Sequence, residues 1–175
     1  MTEPFGHLVR RFFDVLFAGP LTASERMAVE SWLGPILAPA FFDQSPPDQR
    51  HGYLAALAVI AAGRDEPEMV VAALMHDVGK RHFRLGVIGR SMASILARGG
   101  LPLTERMAGY MDHGLHAAKE LAELGAPALA IDFALHHHGE RPPNIDSDTW
   151  RILKEADEPA KTGVRWAPGI ISVAR

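Results

Sequence analysis

The sequence predicts an all-α protein, a single-domain helical bundle. Apolar residues recur at helical spacing in one segment after another, and Gly or Pro separates the segments. We find no alternation of apolar and polar residues of the kind that strands show, and no internal repeat. The 175 residues suffice for one domain with a sizeable core, and no linker divides them. We therefore treat residues 1–175 as a single domain.

Signals at segment ends predict the individual helices. Residues 5–16 keep helical spacing until Gly19. Thr22 and Glu25 form a capping box, which predicts the start of a helix that Gly34 ends. Residues 39–44 are a turn or a short helix, and the segment 104–125 is one helix or two broken near Gly114. The other predicted helices cover residues 46–63, 67–80, 85–100, 127–139, and 149–160 with Asp148 as their cap.

Composition excludes several classes of function. The net charge of −3 gives no indication of binding to nucleic acid or to an anionic membrane. The absence of cysteine excludes disulfides, thiolate zinc sites and cysteine nucleophiles. The longest apolar run, residues 53–62, is too short to span a bilayer. The N-terminal segment is better explained as an amphipathic helix than as a signal peptide, so we expect a cytoplasmic protein.

Histidine and aspartate stand out among the apolar helices. The chain has nine histidines, three of them consecutive, and histidine is a frequent metal ligand. Each of these residues alone has an ordinary explanation, such as a hydrogen-bonded core imidazole, a solvated carboxylate or a cation at a helix end. The order of the whole set indicates a shared site. Its members are His51, His76, Asp77, His113, His137, His138 and Asp157.

In this order the set resembles the HD superfamily of metal-dependent phosphohydrolases, whose pattern is H…HD…H…H…D on an all-α core. His76 and Asp77 stand in an HDxGK block. His113 opens a segment similar to the HxxxGA motif of the two-metal subgroup, although Ala117 replaces its glycine, and "HHHGE" resembles that subgroup's His-His step. The resemblance covers about residues 48–160. N-terminal helices over residues 3–45 precede this core, and residues 163–175 are interpreted as a tail.

The resemblance implies a ligand set for two divalent ions. His51, His76, Asp77 and Asp157 would hold the first ion. Asp77 would bridge to a second ion, held by three histidines. Imidazole and carboxylate ligands without thiolates suit Mn, Fe, Co, Ni, Zn or Mg. The sequence leaves open the metal and whether one ion or two are bound. The three histidines of the second ion would be His113, His137 and His138.

The histidine triplet requires a choice among its members. Side chains of His136, His137 and His138 project at steps of ~100°, so all three cannot face one ion. The His-His step of the family aligns best with the last two, which leaves His136 as a polar neighbour, although the sequence does not decide which of the three ligate. His116 falls where the family has an apolar residue, so we expect it to pack or to line a rim. The remaining two, His7 and His82, are expected to be solvated.

Asp77 and Lys80 are the predicted catalytic residues. Gly79 would free the helix end and let Lys80 turn back to the metal, where its ammonium would hold a phosphate oxygen. The three arginines that follow are expected to form a solvated basic face, with a phosphate-facing rim as the alternative: Arg81, Arg84 and Arg90.

The function implied by the resemblance is that of a phosphomonoesterase or phosphodiesterase. It would act on a nucleotide or similar small phosphate ester through a metal-bound hydroxide. Enzymes that open cyclic di-GMP carry the motif HHExxDGxGYP, whereas this chain reads "HHGERPPNIDSD", which argues against that activity. The alternatives are a mixed-valent di-iron oxygenase of the HD type and a signalling module that retains metal with little turnover. The sequence indicates neither the particular substrate nor the oligomeric state.

Overall fold

The computed structural model describes residues 19–157, apart from the side chain of Val87. This part of the chain forms α-helices and one short 3₁₀ helix without any strand, which confirms the predicted all-α fold. None of its helices has both the length and the apolar character that crossing a bilayer requires. The predicted helix over residues 5–16, His7 and the predicted tail lie outside the described residues. The helices are α1 (Ala23–Phe42), α2 (Pro46–Ala61), α3 (Pro67–Met75), the 3₁₀ helix (Val78–His82), α4 (Val87–Arg98), α5 (Glu105–Met111), α6 (His113–Glu123), α7 (Ala128–His136) and α8 (Ser147–Asp157).

The predicted capping box at the start of α1 is confirmed. The hydroxyl of Thr22 accepts a hydrogen bond from the backbone N–H of Glu25 at 3.3 Å, and the Glu25 carboxylate accepts one from the backbone N–H of Thr22 at 2.7 Å. At Gly34, where we expected the helix to end, α1 instead kinks. Its φ of 65° lies in the left-handed region, and Pro35 begins the second half of α1.

Other helix boundaries differ from the prediction. The helix that starts at Pro67 ends at Met75, before the 3₁₀ helix, because the chain turns at the His-Asp pair. The long segment 104–125 agrees with the second predicted alternative, since it forms two helices that meet at Asp112. The predicted cap Asp148 is wrong. The cap of α8 is Asp146, whose Oδ1 accepts hydrogen bonds from the backbone N–H groups of Asp148 and Thr149 at 3.0 Å each.

The central helix of the bundle is α3. Every residue from Met69 to Met75 is buried, as expected for a segment that is apolar on all sides. It packs against α2 and α7, while α6 packs on α7 and α8 lies across α2. One hydrophobic cluster runs from Leu21 to Ala156, so α1 shares a core with the rest of the described chain. The carboxyl ends of α3, α7 and α8 meet at one end of this core, where His76, His137 and Asp157 lie.

Close backbone approach brings these helices together at three glycines. A Cβ atom on any of them would lie within 2.7 Å of a carbonyl oxygen of a neighbouring segment, closer than the 3.0 Å that real Cβ atoms keep. Each glycine is adjacent to a predicted site residue in sequence, so the lack of a side chain lets the helices that carry the ligands approach one another. The pairs are Gly52 with Leu74, Gly79 with His113, and Gly114 with Ala134.

A hairpin of α4 and α5 lies at the edge of the bundle. In α5 no residue is buried, and among the described side chains of α4 only Ala93 is. Arg90 fixes this hairpin to α2 through a two-pronged ion pair with Asp48, with N–O distances of 2.5 and 2.6 Å. Both side chains are largely buried, so the pair connects a peripheral element to the core.

Acid should weaken the Asp48–Arg90 pair. Burial alone would raise the pKa of the Asp48 carboxyl, but the Arg90 guanidinium holds it below its usual value. The stability from this pair is therefore complete above about pH 4, the unfolded pKa, and is lost as the pH falls through the lower folded pKa. We expect Asp48→Asn to lower the free energy of unfolding by on the order of 3 kcal/mol at neutral pH. In urea unfolding, that difference from wild type should shrink below about pH 4; a difference independent of pH would contradict the assignment.

Candidate metal centre

A first group of ligand atoms forms where α2 and α8 meet the end of α3. The Nε2 atoms of His51 and His76 lie 3.3 Å apart, and Oδ1 of Asp157 lies 3.2 Å from each. Oδ2 of Asp77 lies 3.7 Å from the His51 nitrogen and 3.5 Å from the His76 nitrogen. Atoms held ~2.1 Å from one ion lie roughly this far from each other, so His51, His76 and Asp77 could hold a metal ion, with Asp157 beside the two imidazoles.

A second group lies on the other side of the same aspartate. Oδ1 of Asp77 is 3.1 Å from Nε2 of His113 and 3.5 Å from Nε2 of His137. Nε2 of His138 lies 3.2 Å from that of His113. These four residues also could hold an ion. His136, the last residue of α7, belongs to neither group.

Asp77 therefore offers one carboxylate oxygen to each group. It is buried and follows directly on the C-cap residue of α3, with Oδ2 near the first group and Oδ1 near the second. The sequence-predicted ligands all converge around this carboxylate. That they bind metal stays a prediction, and the two-sided geometry is what a bridging carboxylate needs.

Backbone carbonyls orient the buried imidazoles. A ring whose Nδ1–H donates to a carbonyl keeps the lone pair on Nε2, which is the arrangement usual for metal-ligating histidine. Three histidines do so with the carbonyl three residues earlier in the chain: His76 to Ala73 at 2.9 Å, His113 to Tyr110 at 2.7 Å, and His137 to Ala134 at 2.8 Å.

One ring nitrogen of the second group is left without a hydrogen bond in the described part of the chain. Nε2 of His137 is buried and has no hydrogen-bond partner among the described residues. Leaving a buried polar atom unpaired costs free energy, whereas a metal ion accepts the lone pair of that nitrogen. The donor set of imidazole and carboxylate also suits a first-row divalent ion. The residues of the site thus fit a metal ion.

The charges of the site favour a bound cation. Burial alone would lower the pKa of His76, but Asp77 and Asp157 raise it to about 10, so the metal-free ring is protonated at neutral pH and a bound metal ion would take the place of its Nε2 proton. Burial would raise the pKa of the Asp77 carboxyl, yet Lys80 and His76 hold it well below its usual range. Burial lowers the pKa of His137, which keeps its ring neutral and able to ligate. The carboxylates are thus charged, and they attract positive charge to the site.

Lys80 lies beside the site, as predicted. Its ammonium donates to Oδ2 of Asp77, and its side chain is 16% exposed. The role predicted for Gly79 is wrong in part. The φ angle of Gly79 is not in the left-handed region, so backbone freedom at a helix end does not explain why glycine stands there. Its missing side chain instead makes room for the His113 carbonyl.

The expected solvated basic face does not form. Arg81 pairs with Asp43 and Glu120, and it is largely buried. Arg90 pairs with Asp48, so its guanidinium is also held inside the protein. The exposed Arg84 alone fits the prediction.

The remaining described histidines lie away from the ligand groups. His82 is at the surface and bonds Glu120 at 2.8 Å. His116 packs edge-on against the ring of Phe83, with ring centres 5.0 Å apart, in agreement with the packing role that we expected.

Three residues at the edge of the site escaped the sequence interpretation. Lys154 donates to the His137 carbonyl at 2.5 Å and lies 3.7 Å from Oδ2 of Asp157. The ring of Tyr110 lies 5.6 Å from that of His113. The third residue is Asp48. Helical spacing in the sequence could have pointed to two of the three: Lys154 and Asp48 each precede a predicted ligand by three residues and so share its helix face.

Comparisons with known proteins identify no relative. No protein-family model matches the chain. Searches of curated proteins and of solved structures find no match either.

Proposed function

We propose that this chain is a metal-dependent phosphohydrolase of the HD type with two divalent ions. The observation that supports it most is the position of Asp77, whose two oxygens face separate groups of ligand atoms. Two ions that share a bridge are a common device of enzymes that cleave phosphate esters. The proposed substrate is a phosphate monoester or diester of a nucleotide or a similar small molecule.

Each group would hold one ion, drawn from Mn, Fe, Co, Ni, Zn or Mg. His51, His76 and Asp157 would hold the first, with Asp77 between the two. When bound, such ions supply a nucleophilic water near neutral pH and positive charge that offsets the charge of the phosphate. The second ion would be held by His113, His137 and His138.

Lys80 would stabilise the charge that develops on the phosphate. During hydrolysis the phosphorus forms a bond to the water oxygen while its bond to the ester oxygen breaks, and negative charge builds on the other phosphate oxygens. The ammonium of Lys80 has three donors, and its bond to Asp77 uses one of them. Burial alone would lower the pKa of Lys80, but Asp77 and Tyr110 raise it, so the side chain remains charged at neutral pH.

His138 marks the side from which a substrate would enter. It is the exposed member of the second group, whereas Asp77, His113 and His137 are buried. A phosphate group would therefore approach the second group past His138.

The test is a screen of metal-reconstituted protein against phosphomonoester and phosphodiester substrates. We expect phosphate ester cleavage with Mn²⁺ or Fe²⁺ that a chelator removes, and unchanged activity in the matched control His82→Ala. Consumption of O₂ together with a mixed-valent iron signal in electron paramagnetic resonance, without hydrolysis, would favour an oxygenase instead. Bound metal with neither activity would favour a signalling module.

A further inference from the structure

Glu120 lies at the centre of an ion-pair network on α6, the helix that carries His113. Its Oε1 accepts a hydrogen bond from the Arg81 guanidinium, and its Oε2 lies 2.8 Å from Nε2 of His82. Through its other terminal nitrogen, Arg81 also donates to Oδ2 of Asp43 at 2.7 Å. The network therefore ties three segments together: α6, the 3₁₀ helix and the C-terminal end of α1.

The contacts in this network differ in burial. The side chains of Arg81 and Glu120 are 15% and 17% exposed, whereas those of Asp43 and His82 are 57% and 42% exposed. Removing one partner of a largely buried ion pair is costly, whereas an exposed pair contributes little. The Arg81–Glu120 pair is thus the contact of the network that matters most for the position of α6.

The 3₁₀ helix meets α6 at two separate points. At Gly79 it approaches the backbone of His113 so closely that a Cβ atom would not fit. The Arg81–Glu120 pair lies two helical turns later on α6, about 10 Å further along the axis. A second contact at that distance fixes the direction of α6 relative to the 3₁₀ helix, which a single contact does not.

The second ligand group depends on this direction. Nε2 of His113 lies 3.1 Å from Oδ1 of Asp77, and Nε2 of His138 lies 3.2 Å from that of His113. Asp77 directly precedes the 3₁₀ helix, so the 3.1 Å contact spans the two elements that the Arg81–Glu120 pair joins. The other ligands of the first group stand on α2, at the end of α3 and on α8: His51, His76 and Asp157.

We propose that Glu120 is a positioning residue for the second metal ion. Through Arg81 it holds His113 at the distance from Asp77 that this ion requires, although Glu120 belongs to neither ligand group. The inference rests on the proposed function, in which the second group binds an ion. Loss of the pair should therefore weaken the second site and spare the first. A pair that only stabilised the fold would weaken both sites alike or neither.

Mn²⁺ affinities of proteins with one remaining site test this difference. His51→Ala leaves the second group intact and His113→Ala leaves the first, so calorimetry on the metal-free full chain measures each site by itself. Glu120→Gln added to His51→Ala should lower the affinity about tenfold, the scale for residues that orient metal ligands. Added to His113→Ala, it should leave the affinity within about twofold, as expected for independent sites.

Two matched controls remove the exposed partners of the same network. Asp43→Asn removes the other carboxylate bound by Arg81, and His82→Ala removes the imidazole beside Glu120. Each should leave both affinities within about twofold, because exposed pairs contribute little. Arg81→Gln should reproduce the effect of Glu120→Gln, and the double variant should be no weaker than either, because both changes break one contact.

Equal losses at both sites, or no loss at the second, would overturn the inference. So would a loss at the second site in Asp43→Asn as large as that in Glu120→Gln, since Arg81 would then act through α1. Should Glu120→Gln not fold, Arg81→Lys, which keeps the charge, should retain more affinity at the second site than Arg81→Gln, and equal values would overturn the inference. If both sites bind Mn²⁺ and no ester is cleaved, the proposed function fails, and the affinities still decide the role of Glu120.

Discussion

Asp77→Ala is expected to lose metal from both ligand groups and to abolish hydrolysis. No other described residue gives an oxygen to each group, so its removal takes a ligand from both ions at once. Lys80→Ala should differ from Asp77→Ala in its metal content. The ammonium provides charge but no lone pair for a metal, and its loss frees Oδ2 of Asp77. We expect this variant to retain metal while turnover falls on the order of 10²-fold.

Metal content and turnover must be measured on the same samples. His116→Ala is the matched control, because that imidazole packs on Phe83 and lies outside both groups. If Lys80→Ala loses metal as fully as Asp77→Ala, Lys80 supports the fold of the site and its phosphate role is wrong. If both variants keep wild-type turnover, the activity comes from another part of the protein.

Gly79→Ala should destabilise the fold strongly. The added Cβ would lie 2.1 Å from the His113 carbonyl oxygen and 2.8 Å from the Ala117 nitrogen. Both are backbone atoms, so relief requires α6 to move away from the 3₁₀ helix. We expect the free energy of unfolding to fall by about 3 kcal/mol. Binding at the second group should weaken more than at the first, because His113 moves with α6.

Urea unfolding and metal titration measure these effects. The control is Gly86→Ala, where a Cβ meets no atom within 4 Å and the backbone, with φ of −64°, accepts alanine. This control should stay within about 1 kcal/mol of wild type. A Gly79→Ala protein as stable as the control would show that the approach of α6 is not as close as the structure places it.

The full ligand set follows from the resemblance to the HD pattern, and local context explains why some of its members stand out in the sequence. His76 and Asp77 follow the buried apolar run 69–75, a context in which polar side chains need a partner. The same applies to His137 after the apolar segment of α7. Helical spacing and proline positions likewise fixed the starts of α2 and α3. These features depend on nearby residues alone.

Other features depend on contacts between distant segments. Arg90 fits a solvated helix face until its partner Asp48, 42 positions earlier, is known. Gly79 is consistent in sequence with either a flexible helix end or a close contact, and the His113 backbone decides between them. The choice of His138 over His136 likewise depends on where α7 ends relative to α6.

The number of divalent ions per chain tests the role of Asp77 most directly. Purified protein should be stripped of metal, reconstituted with Mn²⁺ and analysed by mass spectrometry for metal per chain. The two ligand groups predict two ions in wild type, and one each in His51→Ala and His113→Ala, since each variant damages a single group. A wild-type protein that binds one ion, and loses it equally in both variants, would contradict the bridging role of Asp77.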